Sequence, residues 1–566
     1  MVTNGGWRGA DRLALPAWLA AVAVGVIAVG LSLWRLMPGL GFWDTAEFQT
    51  VLPVMGTAHP TGYPTYVLVG WLASVLLQPL GEAALRTNVL SAILVGIGSA
   101  VTVDLARRLS GSLALGIAAG LGIAMTPLVW AMGTHADPHA LHFAFVAIIL
   151  WLLVCWEQAH RDHPLEDGGG TGAAGLDSAT GDEGAAPVDA QTARHPDRLL
   201  LAAAVVVGLS VGNHSLTLLL GPPIILYVLA VEPGILRRRR FILANLAAFA
   251  IPTILVRFEM ILRAGWFRAP FVYADPSTWA GFWYVTLGAQ FHGWLTDPFS
   301  NGPKRIADLI AIAVGQFGPL TAVIAIAFVV TALCRPRYAL LSGTTLVLTC
   351  FFNSVYPDGA IDRYYIGPAL IAWTWLAILG AWVVDLATGR GPGDSGRRAP
   401  SPRQALRPVG FVVVAALLIA PSLGALPARA GSGAIDQTGN RAAQAWTDEV
   451  LGALEPDAVV VSWWSYSTPL WYATIVDARR PDICIIDDRN RLDYNLGDLD
   501  QVIDRYIATR PVYLIRNGSS ELGALEGRYT IAPLAGPNAT NVLQVAATAE
   551  HGGPVAPPAG SSEPCR

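Results

Sequence analysis

Two carboxylates, Asp44 and Glu47, lie three residues apart directly after the first long apolar segment of the chain. On a helical turn this spacing places both carboxyl groups on one face. The motif continues through His59, Tyr63 and three prolines, a mixture that is costly to place beside lipid unless it forms a site. A carboxylate in such a position can act as a general base. We therefore interpret residues 37–87 as a catalytic loop, with Asp44 and Glu47 as its candidate catalytic residues.

The composition is that of a membrane protein. Of 566 residues, 53% are hydrophobic and only 14% are charged, well below the roughly 25% charged residues of a soluble domain. Apolar runs close to the roughly 20 residues needed to cross a bilayer recur from residue 15 to residue 428. The sequence has no Gly-rich phosphate loop of the nucleotide or dinucleotide type, and nucleic acid is not expected as a partner.

Hydropathy predicts a polytopic α-helical bundle of about eleven transmembrane helices. Their expected bounds are 15–36, 88–106, 112–131, 139–158, 199–212, 215–231, 241–262, 306–332, 338–354, 365–387 and 409–428. Residues 66–77 are too few to cross comfortably and are expected to lie in the interface or re-enter. The arginine clusters then all face the cytoplasm, as the positive-inside rule requires. This topology predicts a multi-pass protein of the plasma (inner) membrane with a cytoplasmic N-terminus and an extracytoplasmic C-terminus.

The remaining composition divides the chain into domains. The predicted units are a cytoplasmic N-terminus 1–14, a membrane domain 15–430 with a disordered cytoplasmic linker 159–198, an extracytoplasmic domain 431–550 and a disordered tail 551–566. In the third unit, strand patterns at 458–462, 483–486 and 512–515 alternate with helical patterns, which predicts a small α/β domain. The five cysteines do not suggest a disulfide framework, and a Cys484–Cys565 bridge is not favoured because the two residues are far apart.

Several polar residues that this topology places at the outer face are candidate substrate-binding groups. They are His59, Tyr63, His135, Asp137, His139, His214, Arg268, Asp275, Asp362, Arg363 and Tyr365. Arg363 could clamp a phosphate with two hydrogen bonds, or it could pair with Asp362. His139, His142 and Asp137 could bind a divalent ion, but a metal is not favoured, because histidine-rich loops also serve as anion donors. The acids Asp44 and Glu47 could instead favour a helix dipole.

A carboxylate surrounded by arginine, histidine and aromatic residues suits the transfer of a group from a lipid-linked phosphate. The carboxylate would take the proton from an acceptor hydroxyl as its oxygen attacks the anomeric carbon. The cations would stabilise the departing lipid phosphate. No cofactor is then expected beyond the lipid-linked sugar donor.

Two motifs, Phe42-Trp-Asp-Thr-Ala-Glu-Phe48 and His59-Pro-Thr-Gly-Tyr-Pro64, carry a family resemblance. The chain resembles the family 117 glycosyltransferases of the membrane-embedded GT-C class, whose vertebrate relatives are transmembrane protein O-mannosyltransferases. The resemblance implies a GT-C fold, a polyprenyl-phosphate sugar donor and a first-loop acid, Asp44 or Glu47, as catalytic base. Of the two, Asp44 is favoured as the first acid after the span. Where relatives tend to have Glu followed by Tyr, this chain has Asp137 and His139, so donor or acceptor preference could differ.

These features predict a membrane glycosyltransferase acting on the extracytoplasmic side, with a protein, a glycan or a lipid as acceptor. The alternative is a transporter or flippase of lipid-linked sugars. Transporters usually show internal repeats and discontinuous helices near the midplane, and no repeat is visible in this sequence. The extracytoplasmic domain is expected to dock the acceptor.

Overall fold

A computed structural model describes residues 16–162, 194–298, 300–356, 359, 361–389, 402–516, 520–525, 527–534, 536–548, 558 and 565. The predicted N-terminus 1–14 lies outside these residues, as do most of the predicted linker and most of the predicted tail. At the two ends of the linker the described residues are helical, since one helix continues to Asp162 and the next begins at Arg194.

Helices dominate the chain up to residue 430. In chain order they are α1 Ala17–Trp34, α2 Trp43–Val54, α3 Pro64–Leu76, α4 Ala83–Ser110, α5 Leu113–Ala124, α6 Pro127–Met132, α7 Pro138–Asp162, α8 Arg194–Asn213, α9 Gly221–Val231, α10 Arg239–Ile261, α11 Trp279–Leu287, α12 Gly302–Phe317, α13 Thr321–Cys334, α14 Pro336–Val355, α15 Ile366–Ala387, α16 Pro402–Ala405 and α17 Arg407–Ala430. Short 3₁₀ turns connect several of them, and a π-helical turn, Leu262–Trp266, follows α10.

Within the described residues, nine helical segments are long and apolar enough to cross a membrane. The predicted spans 112–131 and 215–231 are shorter helices. The first is divided at Pro127 into α5 and α6, and the second begins as the 3₁₀ turn Ser215–Leu220 before α9. Proline lacks the N–H that a helix interior requires, which accounts for the break at Pro127. The chain is thus a multi-pass membrane protein with a helical bundle.

Helix α3, within the segment expected not to cross, has 13 residues. At 1.5 Å per residue it extends about 20 Å, less than the ~30 Å hydrocarbon core of a bilayer. Helices α4, α7 and α15 are the most deeply buried of the long apolar helices, and α4 packs against α1, α5 and α7. Close approach of α1 and α4 needs small residues, because a Cβ on Gly96 would lie 2.9 Å from the carbonyl oxygen of Gly25.

The C-terminal part contains one five-stranded sheet. Its elements are α18 Ala442–Ala453, β1 Val459–Ser462, α19 Trp464–Trp471, β2 Cys484–Asp487, α20 Asp488–Asp493, α21 Leu499–Tyr506, β3 Val512–Ile515, α22 Ser520–Gly523, β4 Tyr529–Pro533 and β5 Val542–Ala547. The strand order is β2-β1-β3-β5-β4, with β1 parallel to β2 and β3, and with β5 antiparallel to β3 and β4. The three predicted strands are therefore confirmed as the parallel half of this small α/β domain, and the antiparallel pair was not predicted.

The expectation about the cysteines was wrong, because Cys484 and Cys565 form a disulfide. The two residues are 81 positions apart in sequence, but their Cα atoms lie 5.4 Å apart, inside the range that a disulfide spans. Separation along the chain is a poor guide here, since Cys565 packs against the cluster between the sheet and α21. The bond ties the end of the chain to the edge strand β2.

A buried carboxyl group lies at the end of β2. Asp487 is only 1% exposed, and it accepts hydrogen bonds from the Ser467 hydroxyl at 2.6 Å and from the backbone N–H of Arg489 at 2.8 Å. Burial raises the pKa of Asp487 from 3.8 to about 6, and the hydrogen bonds from Ser467 and Arg489 offset only part of that rise. Between about pH 4 and pH 6, Asp487 therefore stays protonated in the folded chain and is ionised in the unfolded chain.

This proton makes the stability of the sheet depend on pH. Because the pKa is raised on folding, the stability contributed by Asp487 is present below pH 4 and is lost as the pH rises through about 6. The rise of the pKa corresponds to about 3 kcal/mol between the two limits. Hydrogen exchange of the amides of β1, β2 and β3 in the full chain, corrected for intrinsic rates, should show this loss.

Asp487→Asn should remove that part of the pH dependence, since an amide does not titrate in this range. The matched control is Asp457→Asn on the exposed turn before β1, where φ is +59°, a conformation that asparagine tolerates. The control should keep the wild-type dependence. Identical pH profiles for wild type and Asp487→Asn would contradict the role given to this carboxyl group.

Candidate active site

The first predicted motif forms α2 and the loop after it. Asp44 lies in the first turn of α2, and Glu47 follows on the same face. The loop turns back so that His59 meets Glu47. Glu47 Oε1 accepts from the backbone N–H of His59 at 2.7 Å, and Oε2 lies 2.5 Å from His59 Nδ1. Glu47 is fully buried, so both of its oxygens are committed to holding His59.

Polar residues of α4 hold the segments on either side of this loop. Asn88 accepts from the amide of Gln49 and from the backbone N–H of Ala136, and it donates to the carbonyl of Met37. Ser91, one turn later, accepts from the backbone N–H of Asp137. These bonds join the chain after α1, the helix α2 and the turn before α7 into one unit.

Asp44 is the more accessible of the two candidate bases. Its side chain is 26% exposed, whereas that of Glu47 is 0% exposed. Arg363, in the 3₁₀ turn Ile361–Tyr365, donates to Asp44 Oδ2 at 3.1 Å. Trp464 of α19 donates its indole N–H to Oδ1 at 3.0 Å. The Asp44 carboxylate is therefore held from one side by the 3₁₀ turn Ile361–Tyr365 and from the other by the C-terminal domain.

Arg363 also reaches a second carboxylate. Its Nη1 lies 3.8 Å from Asp137 Oδ2, and Asp137 Oδ1 lies 2.8 Å from His139 Nδ1. His135 approaches the same carboxylate at 3.9 Å. The site thus contains two carboxylate–histidine pairs, Glu47 with His59 and Asp137 with His139.

Beyond these pairs lie three closely packed histidines. The ring centroids of His139 and His214 are 4.7 Å apart, and those of His142 and His214 are 5.7 Å apart. Tyr364 stacks on His139 at 5.0 Å, while Tyr63 packs on His214 and places its hydroxyl 3.2 Å from His59 Nε2. His214 Nδ1 accepts from the backbone N–H of Leu216, so in the neutral ring Nε2 carries the proton and is a donor.

These contacts shift the proton affinities of the groups outside the membrane spans. Burial raises the pKa of Asp44, but His59, Arg363 and the indole of Trp464 together hold it below its ordinary value. Burial raises the pKa of Glu47 above its ordinary value, which His59 only partly opposes. The pKa of His59 is also raised, because Glu47 and Asp44 outweigh the lowering by burial. Asp44 is consequently the ionised carboxylate, and the Glu47–His59 pair retains a proton.

The donor atoms of Asp44, Glu47 and His59 lie within 4.8 Å of one another, a spacing that could hold a divalent cation. Those atoms already have partners, since both oxygens of Glu47 bond to His59 and Asp44 pairs with Arg363. A cation would have to compete with Arg363 for the charge of Asp44. Independence from a metal therefore stays a prediction.

The structure brings together most of the residues predicted for the site. They are Asp44, Glu47, His59, Tyr63, His135, Asp137, His139, His214 and Arg363. Four others do not join them through any contact of the described residues. Arg268, Asp275 and Asp362 are exposed, and Asp275 bonds within its own turn, to Ser277. Tyr365 is buried in the helical core. Arg363, expected to bind a phosphate or to pair with Asp362, pairs with Asp44 and Asp137.

Trp464 and Tyr364 are site residues that the sequence analysis missed. Trp464 also packs its ring on His59 at 5.6 Å and on Tyr273 at 5.9 Å. Nothing near Trp464 in the sequence marks it, because its partner Asp44 is 420 positions away. Tyr364 lies beside Arg363, and the high density of aromatic residues in that segment was the available signal.

Comparison with known proteins gives the family context. Residues 44–233 match the model of the protein O-mannosyl-transferase TMEM260 N-terminal domain. The chain is 33% identical to protein O-mannosyl-transferase TMEM260 of Mus musculus over 156 residues, which are 27% of this chain and 21% of the mouse protein. The match thus spans about a fifth of that relative.

Solved structures show the likeness of the whole fold. ArnT from Cupriavidus metallidurans bound to undecaprenyl phosphate superposes with a TM-score of 0.53 at 14% identity, over 96% of this chain and 100% of ArnT. The apo form of ArnT superposes with a TM-score of 0.56 at 13% identity, over 93% of this chain and 97% of ArnT. The Archaeoglobus fulgidus oligosaccharyltransferase in complex with Zn and sulfate superposes with a TM-score of 0.50 at 15% identity, over 93% of this chain and 73% of the oligosaccharyltransferase. The chain therefore has the GT-C fold, and the match of residues 44–233 confirms its predicted resemblance to the transmembrane O-mannosyltransferases.

Proposed function

We propose that the protein is a glycosyltransferase that moves a sugar from a polyprenyl-phosphate donor to an acceptor hydroxyl on the extracytoplasmic side, with Asp44 as general base. The observation that carries the proposal is the Asp44 carboxylate, which is partly exposed, ionised and held between Arg363 and Trp464. The name of the mouse relative supports sugar transfer, and the undecaprenyl phosphate bound to ArnT supports the class of donor. The acceptor could be a protein, a glycan or a lipid.

The reaction assigns a role to each part of the site. The acceptor oxygen attacks the anomeric carbon, and its proton passes to Asp44. The bond between the anomeric carbon and the phosphate oxygen breaks, and the lipid phosphate leaves with the bonding electrons. Arg363 stabilises the charge that develops on the phosphate, and His214 offers its Nε2–H as a further donor. Transfer needs no nucleotide, since the donor already carries its leaving group.

Glu47 is assigned a positioning role. Its carboxylate is fully buried and bonds to His59 through both oxygens, so an acceptor hydroxyl cannot reach it, whereas the Asp44 side chain is 26% exposed. Glu47 holds His59 beside Asp44, where the charge of the protonated His59 ring helps to keep Asp44 ionised. This assignment selects Asp44 from the two candidate bases.

Substitution of the two acids tests the proposal. In membranes supplied with a panel of labelled polyprenyl-phosphate sugars, Asp44→Asn should lower the rate of transfer by about 10²- to 10⁴-fold, the contribution of a general base. Donor binding should persist. Glu47→Gln should lower the rate less, because it changes the position and charge of His59 rather than removing the base.

Asp308→Asn is the matched control, because Asp308 is an exposed acid on α12 that pairs with Lys304 of the same helix. It should transfer sugar as wild type does, and wild-type transfer should continue in EDTA. Normal transfer by Asp44→Asn would reject the base assignment. Lipid-linked sugar that crosses the membrane without being consumed would favour the transporter instead.

The indole of Trp464 should set the pH at which Asp44 becomes active. A donor to a carboxylate stabilises its charged form, so Trp464→Phe should raise the pKa of Asp44. The acidic limb of the pH profile of kcat/KM should move to higher pH, by about one unit for a hydrogen bond to a charged group. The rate at high pH should change little.

Trp471→Phe is the control for this effect, because Trp471 lies on the same helix and packs on Trp464 without bonding to Asp44. It should leave the acidic limb in place. A Trp464→Phe enzyme with an unshifted limb and a uniformly lower rate would show that the indole acts by packing alone.

The sidedness of the site can be tested with introduced cysteines in a background lacking the free cysteines Cys155, Cys334 and Cys350. The positive-inside rule predicts that Gly452 of the C-terminal domain lies outside and Arg237 inside; both positions are exposed. An impermeant maleimide should label Gly452→Cys in intact spheroplasts and Arg237→Cys only after permeabilisation. The opposite pattern would place the site in the cytoplasm.

A further inference from the structure

The residue before the proposed base is an exposed tryptophan in a strained conformation. Trp43 has φ +58°, and its side chain is 54% exposed. A left-handed backbone costs a bulky residue about 1–3 kcal/mol. Burial of the indole does not offset this cost, because more than half of it faces solvent. Strain of this kind at a functional site points to a role for the position of the side chain.

The strained conformation brings Trp43 against the C-terminal domain. Its ring packs edge-to-face on Trp463 at a centroid distance of 5.5 Å and an interplanar angle of 89°. Trp463 in turn packs on Tyr466, which packs on Phe42. Residues at the start of α2 and residues of the C-terminal domain thus form one aromatic surface, and Trp43 is its exposed part.

This surface adjoins the open side of the base. Trp43 precedes Asp44, and Trp463 precedes Trp464, whose indole donates to Asp44. Asp44 is 26% exposed, while the carboxylates of Glu47 and Asp137 are closed off at 0% and 5%. The surface therefore places an exposed aromatic face beside the atom that takes the acceptor proton.

We infer that Trp43 and Trp463 form a platform for one pyranose ring bound beside Asp44. A pyranose presents an apolar C–H face that can stack on an indole ring. The inference rests on the proposed function and adds a binding subsite for a sugar ring, to which the proposed function assigns no residues. The ring could belong to the sugar of the lipid-linked donor or to a glycan acceptor, since the recognition chemistry is the same.

Kinetics of Trp43 variants test the platform and identify the source of the ring. Trp43→Ala should raise KM by about tenfold, the upper range of a stacking contact, with little change in kcat. Donor hydrolysis without acceptor isolates the donor. A raised donor KM in hydrolysis assigns the platform to the donor sugar, whereas a raised acceptor KM alone assigns it to the acceptor glycan. Both results support a pyranose platform.

Two further variants separate binding from folding. Trp43→Phe keeps an aromatic ring and should recover part of the affinity. Trp43→Gly relieves the left-handed strain, because glycine adopts positive φ freely; it should be at least as stable as Trp43→Ala and show the same raised KM. Trp279→Ala, which removes a tryptophan that is 77% exposed at the start of α11, is the control and should behave as wild type.

Unchanged KM values for donor and acceptor in Trp43→Ala, or a fall in kcat alone, would overturn the inference. If the wild type consumes no donor, the proposed function fails, but the platform can still be tested. Saturation-transfer NMR then measures whether methyl pyranosides bind to the wild type and to Trp43→Gly. Signals that are present in wild type and lost in Trp43→Gly would support the platform, and equal signals in both would reject it. If Asp44→Asn still transfers sugar at the wild-type rate and Trp43→Ala has a raised KM, the assignment of Asp44 as base is rejected and the pyranose platform is supported.

Discussion

The candidate site depends on the pairing of every charge that it buries. Taking an unpaired carboxylate out of water costs several kcal/mol, and a partner must compensate for that cost. Glu47 is compensated by His59, Asp137 is compensated chiefly by His139, and Arg363 lies 3.1 Å from Asp44 and 3.8 Å from Asp137. Because one guanidinium serves two carboxylates, it fixes the distance between α2 and the turn before α7. The position of Asp44 is therefore determined by charge as much as by packing.

Backbone groups near the membrane impose a second constraint. The loop between α2 and α3 is irregular, and its carbonyls need partners where water is scarce. Two arginines of the α10 region supply them. Arg257 donates to the carbonyl of Thr61 at 2.6 Å, and Arg263 donates to that of Gly56 at 2.6 Å. The loop that carries His59 is thus held by these two arginines through its backbone and by Glu47 through His59.

Much of this arrangement could be predicted from the sequence, because it depends on local spacing. The spacing of Asp44 and Glu47, the histidines near residue 139 and the break at His214 all lie at helix ends that hydropathy locates well. The parallel strands β1, β2 and β3 were visible as short apolar runs. Strands β4 and β5 were not, since Tyr529–Pro533 is largely exposed and ends in proline, and neither strand is a continuous apolar run.

What could not be predicted depends on contacts between distant residues. The Cys484–Cys565 bond and the hydrogen bond from Trp464 to Asp44 follow from the packing of the C-terminal domain, not from any local pattern. Arg268 and Asp275 were expected in the site because the predicted topology put their loop at the same face of the membrane. Sharing a face does not bring side chains together, and both remain exposed.

The position of Trp464 changes how the C-terminal domain should be understood. The sequence suggested a domain that docks the acceptor, separable from the chemistry. In the structure, α19 begins with Trp464 at the proposed base and continues one turn later to Ser467, which donates to the buried Asp487. The interior of the domain therefore positions a hydrogen-bond donor to the proposed base. Removing the domain would expose Asp44 and remove that donor together, so a deletion cannot separate an effect on the acceptor from an effect on Asp44, and single substitutions are needed.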